Sequence, residues 1–250
     1  MVDSNKAVSK LANKQARKPV NRFDPRLVQS RVGEVESLLS RAVMYRPITL
    51  LSLHAQRVIW RQFLGLRRSL FSISVILPLV FQDDHESIEA VEKSIETRFS
   101  EARKTLTTSK QQLQETLKSD GINNVFDFNN KLELNVAIDT PLASQFVDLV
   151  LLLDELVQYI ETVWLSGNID NKHRNIEVNK WEKTLMRLSV TLIQHERRVK
   201  NAAKQKGIAT EVGDELEGSS NEVADSVPEL PTALNNGKLL NEPLMKAAVA

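Results

Sequence analysis

Residues 131–141 alternate in a way that commits them to one shape. Leu132, Leu134, Val136 and Ile138 are apolar, and Lys131, Glu133, Asn135 and Ala137 fall between them. A period of two describes an extended strand with one buried and one open face. Asp139 or Thr140 suits the cap of a helix, and Pro141 suits its first turn, where a missing N–H is harmless. A long apolar helix follows over Pro141–Leu165, then a turn at Gly167-Asn168, then a basic helix over roughly Val178–Lys206 that Gly207 ends. The expected fold is mainly α with a short β ribbon.

The rest of the chain is read the same way. Residues 1–23 lack apolar periodicity and form a flexible basic arm. From Asp24-Pro25 a helix runs to about Met44, with Val28, Val32, Val35, Leu39 and Ala42 at helical spacing, and Arg46-Pro47 breaks it. Ile48–His54 is β-prone with imperfect alternation. A helix over Gln56–Leu64 is expected to break at Gly65, and a second apolar stretch covers Leu66–Phe81. Ser87–Lys118 is amphipathic, with Ile88, Val91, Ile95, Ala102, Leu106, Leu113 and Leu117 in one stripe. Trp60, Trp164 and Trp181 belong to the core. Residues 24–207 are expected to form one domain, and residues 208–250 a disordered acidic tail. The two strand-then-helix units, 48–64 and 131–165, look only loosely alike.

Charge is segregated. The 250 residues carry a net +1, but residues 1–31 hold +6, residues 208–250 hold −6, and residues 172–206 hold +7. Local basic clusters attract polyanions whatever the total charge, although a solvated helix face explains them equally simply. The absence of cysteine excludes disulfides, thiol nucleophiles and Cys-based zinc sites, and fits a reducing, cytoplasmic setting. The uncharged run Leu70–Phe81 is too short to span a bilayer, so no membrane partner is expected.

Enzyme chemistry finds no footing. The eight glycines form neither a phosphate loop nor a dinucleotide fingerprint. His54, His85, His173 and His195 show no His-x-x-x-His spacing. Asp83-Asp84-His85-Glu86 resembles a metal cluster, but adjacent helical residues diverge, and acids ahead of a helix serve its positive end. No catalytic residue, metal, cofactor or small-molecule substrate is expected.

Nucleic-acid chemistry fits better. On the strand's open face, Asn135 can pair with adenine, Lys131 can donate to guanine or phosphate, and Glu133 can accept from cytosine. A solvent-facing strand of an ordinary sheet is the alternative. Arg57, Arg61, Arg67 and Arg68 lie within twelve residues as candidate phosphate contacts, unless salt bridges occupy them. Lys180, Lys183 and Arg187 on the last helix are further phosphate candidates. Strand, capped helix, turn, helix is the order of a ribbon-helix-helix DNA-binding unit, in which a two-stranded ribbon lies in the major groove.

A family resemblance rests on longer motifs. Residues 48–60 (Ile-Thr-Leu-Leu-Ser-Leu-His-Ala-Gln-Arg-Val-Ile-Trp), Leu64-Gly65-Leu66, Asp83-Asp84 ahead of a long helix, Leu132-Glu133-Leu134, Pro141 and Leu151–Val157 resemble the AcaB-type family of conjugative plasmids and integrating conjugative elements. The resemblance covers about residues 46–200. His85-Glu86 and Leu142 depart from it where Pro-Tyr is usual. It implies a double-stranded-DNA-binding transcriptional regulator, an activator of conjugative transfer genes, acting as a homodimer. The alternative is a noncatalytic adaptor of a conjugation apparatus, with the Ser87–Lys118 stripe as its partner surface. Whether the ribbon forms within one chain or between two is left open by the sequence.

Overall fold

The computed structural model describes residues 25–33, 41–80, 85–122 and 124–205. The basic arm, the acidic tail and Asp83-Asp84 lie outside them. The elements are α1 (Pro25–Gly33), β1 (Met44–Leu50), α2 (Leu53–Phe71), a π-helical turn (Ser72–Ile76), α3 (Leu77–Val80), α4 (His85–Ser119), β2 (Leu132–Ile138), α5 (Pro141–Leu165) and α6 (Asn171–Gln205). The fold is mainly helical, with a single two-stranded antiparallel ribbon among the described residues.

The ribbon is made within the chain. Met44 pairs with Ile138, Pro47 with Asn135 and Leu50 with Leu132. Asn135 turns its N–H and C=O away from β1, where the Gln29 side chain of α1 meets both, at 2.8 and 2.9 Å. Its partner Pro47 therefore needs no N–H for the ladder, which is how a proline sits inside this strand. A Cβ on Gly33 would lie 2.2 Å from the Gln29 amide nitrogen and 3.0 Å from the Asn135 oxygen. Glycine there is what lets α1 close along the edge of β2.

Several boundaries differ from the sequence expectation. The first strand runs Met44–Leu50, not from Ile48 to His54, because the Ser52 hydroxyl accepts from the Ala55 N–H and starts α2 at Leu53. The first helix, expected to reach Met44, ends at Gly33 among the described residues, and Met44 is already strand. Gly65 does not interrupt α2. A side chain there would meet only Ile193, at 3.7 Å, so the position is roomy and helical hydrogen bonding continues through it. α5 has the expected bounds, and Thr140 caps it by accepting from the Ala143 N–H.

An internal two-fold relation emerges, stronger than the loose likeness read from sequence. The strand register is symmetric about the Pro47–Asn135 pair. The shift that carries Pro47 onto Asn135 also carries Ser52 onto Thr140 and Ala55 onto Ala143, so cap lands on cap. α2 and α5 pack together under the ribbon, burying Leu50, Phe63, Leu66, Phe146, Leu149 and Leu153 completely or nearly so. The outer helices are exchanged between halves. α6 lies parallel to α2, with Glu182 meeting His54 and Arg57 at one end and Ile193 meeting Gly65 further along. α4 lies parallel to α5, through Arg103–Asp148 at 3.6 Å, Lys110–Glu155 at 2.6 Å and Gln114–Tyr159 at 2.7 Å. Each half thus completes its core only against the other.

Candidate nucleic-acid interface

The ribbon's inner face is mostly apolar: Ile48, Leu50, Leu132, Leu134, Val136 and Ile138 are buried, while at the end of β1 Met44 is exposed and the half-buried Arg46, opposite Val136, donates to Asp148 at 2.7 Å. Its outer face follows from the register. Thr49 stands opposite Glu133, Pro47 opposite Asn135, and Tyr45 opposite Ala137. All but Ala137 are exposed, Tyr45 by 59%. Ala137 was expected on the open face and is instead fully buried, on the stretch of β2 that α1 packs against. The exposed row otherwise offers hydroxyl, carboxylate, amide and aromatic groups to solvent. A two-stranded ribbon is narrow enough for the major groove, which is about 12 Å wide.

Of the three base-contact candidates, Glu133 and Asn135 are exposed on this face. Lys131 sits just beyond the strand. Its ammonium donates to Asp127 at 2.6 Å and, with the Phe128 N–H, holds the Asp127 carboxyl below its usual range. That pair is open to water, so it holds Lys131 only weakly. Tyr45, Pro47 and Thr49 escape the sequence reading, because Arg46-Pro47 reads locally as a breaker. The signal was present: Ile48 and Leu50 alternate with Pro47 and Thr49, and a proline at a non-hydrogen-bonded pair is compatible with a strand.

The arginine cluster separates into distinct roles. Arg61 is exposed on α2. Arg57, one turn earlier, lies 3.8 Å from Glu182, which also pairs with His54. Arg68 is half-buried, and after burial itself it is the next cause lowering the pKa of Arg31. Arg67 corrects the sequence expectation of a phosphate contact. It is 2% exposed, donates to Ala137 O at 3.2 Å and Val32 O at 3.4 Å, and lies 3.7 Å from Asp139. Its burial and its internal acceptors make it a structural tie that no phosphate can reach.

On α6, Lys180, Lys183 and Arg187 are all exposed. Lys180 is 3.3 Å from Glu177 and lies over the Trp181 ring. Lys180 and Lys183 line a shallow surface depression with Lys172, Asn175 and Asn179. Because α6 runs beside α2, the Arg57–Arg61 stretch and the Lys183–Arg187 stretch belong to one helix pair. Neither comes from the ribbon's outer face, so the candidate base contacts and the candidate phosphate contacts arise from separate elements.

Among the described residues no helix is long and apolar enough to cross a membrane, and no group of three or more His, Cys, Asp or Glu is arranged to hold a metal. No family profile and no curated protein sequence matches the chain. A solved structure does: the crystal structure of selenomethionine-containing AcaB from uropathogenic E. coli. It shares 31% identity and superposes with a TM-score of 0.64, covering 78% of this chain and 94% of that one. Identity at this level over most of both molecules, with the fold held in common, establishes that the chain belongs to the AcaB-like family.

Proposed function

We propose that this protein is a sequence-specific double-stranded-DNA-binding regulator of transcription that reads DNA in the ribbon-helix-helix manner. The observation that carries the reading is the ribbon itself. One face is sealed on α2 and α5, and the other presents Thr49, Glu133, Pro47, Asn135 and Tyr45 to solvent. Asn135 and Glu133 supply base discrimination from the major groove, a good bidentate contact contributing about 1–3 kcal/mol. Lys131 joins them once it releases Asp127. Arg57, Arg61, Lys180, Lys183 and Arg187 supply backbone contacts, which set affinity and its salt dependence without specifying sequence. Arg68 contributes from its half-buried position, and Arg67 is left out. Membership of the AcaB-like family supports the same reading. It extends it to activation of conjugative transfer genes by a homodimer, in which two protomers, each with its own ribbon, lengthen the sequence read.

The test is a mobility shift on a short duplex library across a salt series. Specific binding is expected. Asn135→Ala is expected to change base preference, and Arg61→Ala to weaken all sites alike and reduce the salt slope. Binding no tighter than to a random duplex rejects the regulator reading in favour of the protein–protein adaptor.

A further inference from the structure

In a ribbon built by two identical chains, both ends of the outer face carry the same residues, and the DNA read must be an inverted repeat about the ribbon's centre. This ribbon is built by one chain. Its backbone has that symmetry about the Pro47–Asn135 pair, but its side chains do not. At one end Thr49 and Glu133 offer a hydroxyl and a carboxylate, both exposed, with Lys131 just beyond. At the other end Tyr45 offers an exposed phenol ring beside the buried methyl of Ala137. The two-fold shift would set Tyr45 against Glu133 and Thr49 against Ala137, and neither pair is chemically alike. At the centre an amide faces a proline, so even the axis is unequal. α1 adds to this by lying along β2 through Gln29.

We propose that one protomer is a complete two-strand reader and that the DNA element it reads has no internal dyad. The inference rests on the regulator reading given above. Glu133 selects one end of the element by accepting a hydrogen bond from a cytosine amino group, and Tyr45 selects the other by apolar contact with a thymine methyl. A seven-residue strand extends about 24 Å, enough to follow about six or seven base pairs at about 3.4 Å each. The class of ligand is therefore a short asymmetric duplex element with chemically different ends. A palindrome centred on the ribbon does not fit it.

The experiment is selection from randomised duplex DNA with the full chain, repeated with Tyr45→Ala and Glu133→Ala. Both side chains are exposed, so both variants keep the melting temperature of the parent and can be compared directly. The expected result is an element without an internal inverted repeat. Tyr45→Ala should relax selection at one end and Glu133→Ala at the opposite end, each by about fivefold or more against the preferred base. Two copies of the element at a fixed spacing support the proposal too, provided each copy is itself asymmetric. A selected sequence whose dyad falls inside the element, with each variant altering both halves equally, overturns the asymmetric reader while leaving DNA recognition standing. Absence of any selected sequence overturns both.

Discussion

The two halves of this molecule solve one mechanical problem with opposite charges. Each strand-to-helix turn must be tied to the body, and each is tied by the inner helix of the other half. At the first turn, Asp154 of α5 accepts from the Leu51 and Ser52 N–H groups, both at 2.7 Å. At the second, Arg67 of α2 donates to Ala137 O and faces Asp139. Under the internal two-fold shift, Leu66-Arg67 falls on Asp154-Glu155, so the tying residue has moved by one position as well as changed sign. The backbone dictates the choice. The first turn presents donors and needs an acceptor, whereas the second presents a carbonyl and a carboxylate and needs a donor. Symmetry of path therefore does not require symmetry of side chains, and the same freedom leaves the outer face of the ribbon unequal.

Arg67→Ala should break this comparison most severely. It removes one of the two guanidinium groups that face the buried Asp139 carboxylate, leaving Arg41 at 3.5 Å to offset alone the desolvation that raises its pKa, and it leaves Ala137 O without its side-chain donor. Removing one partner of a buried pair costs about 3–5 kcal/mol, measurable by urea unfolding. A loss under about 1 kcal/mol would mean that the second turn is not held this way. Asp154→Ala comes next. It leaves two N–H groups without their acceptor, and an expected loss of about 2–4 kcal/mol follows from the cost of unsatisfied donors. If either variant unfolds only its own half, the exchange of outer helices does not couple them. The caps sharpen the equivalence. Ser52→Ala and Thr140→Ala should each cost about 1 kcal/mol, and similar values are expected because both hydroxyls accept at 3.2 Å from an alanine N–H. Widely different losses would show that the two turns bear unequal load.

The smallest effect is in pH. Burial raises the Asp154 carboxyl above its ordinary 3.8, against the hydrogen bonds from Leu51 and Ser52. A carboxyl raised on folding loses stability as pH climbs from its ordinary value through the raised one, and regains it as pH falls back. Relative to Asp154→Asn, which cannot titrate, the parent should gain stability as pH is lowered from 7 toward 4. Thermal melts of the two proteins across that range check the sign. A gap that does not move with pH removes the desolvation argument.

Legibility differed from element to element for physical reasons. β2 and α5 were readable because alternation, cap and proline all agreed, and α4 because its apolar stripe kept one period from Ile88 to Leu117. β1 was misplaced because Pro47 reads locally as a breaker, and only its position opposite Asn135 shows that its missing N–H is not needed. The arginines of α2 looked equivalent by spacing, yet burial separates Arg61 on the surface from Arg67 in the core. Glu133 and Asn135 were identified from β2 alone, while Tyr45 and Thr49 entered the candidate face only through the pairing.

The order of hydrophobic and polar residues was enough, by itself, to mark β2, α4 and α5 as strand and helices, to set where α5 begins, and to give the dry side of β2 at every position but Ala137. These depend on neighbours a few positions away. The partnering of β1 with β2, the crossing of each outer helix to the other half, the burial of Arg67 and the meeting of Tyr45, Thr49, Glu133 and Asn135 on one surface were decided in three dimensions. They join residues from 35 to 128 positions apart, and no local period records which distant groups will share a face or lose their water.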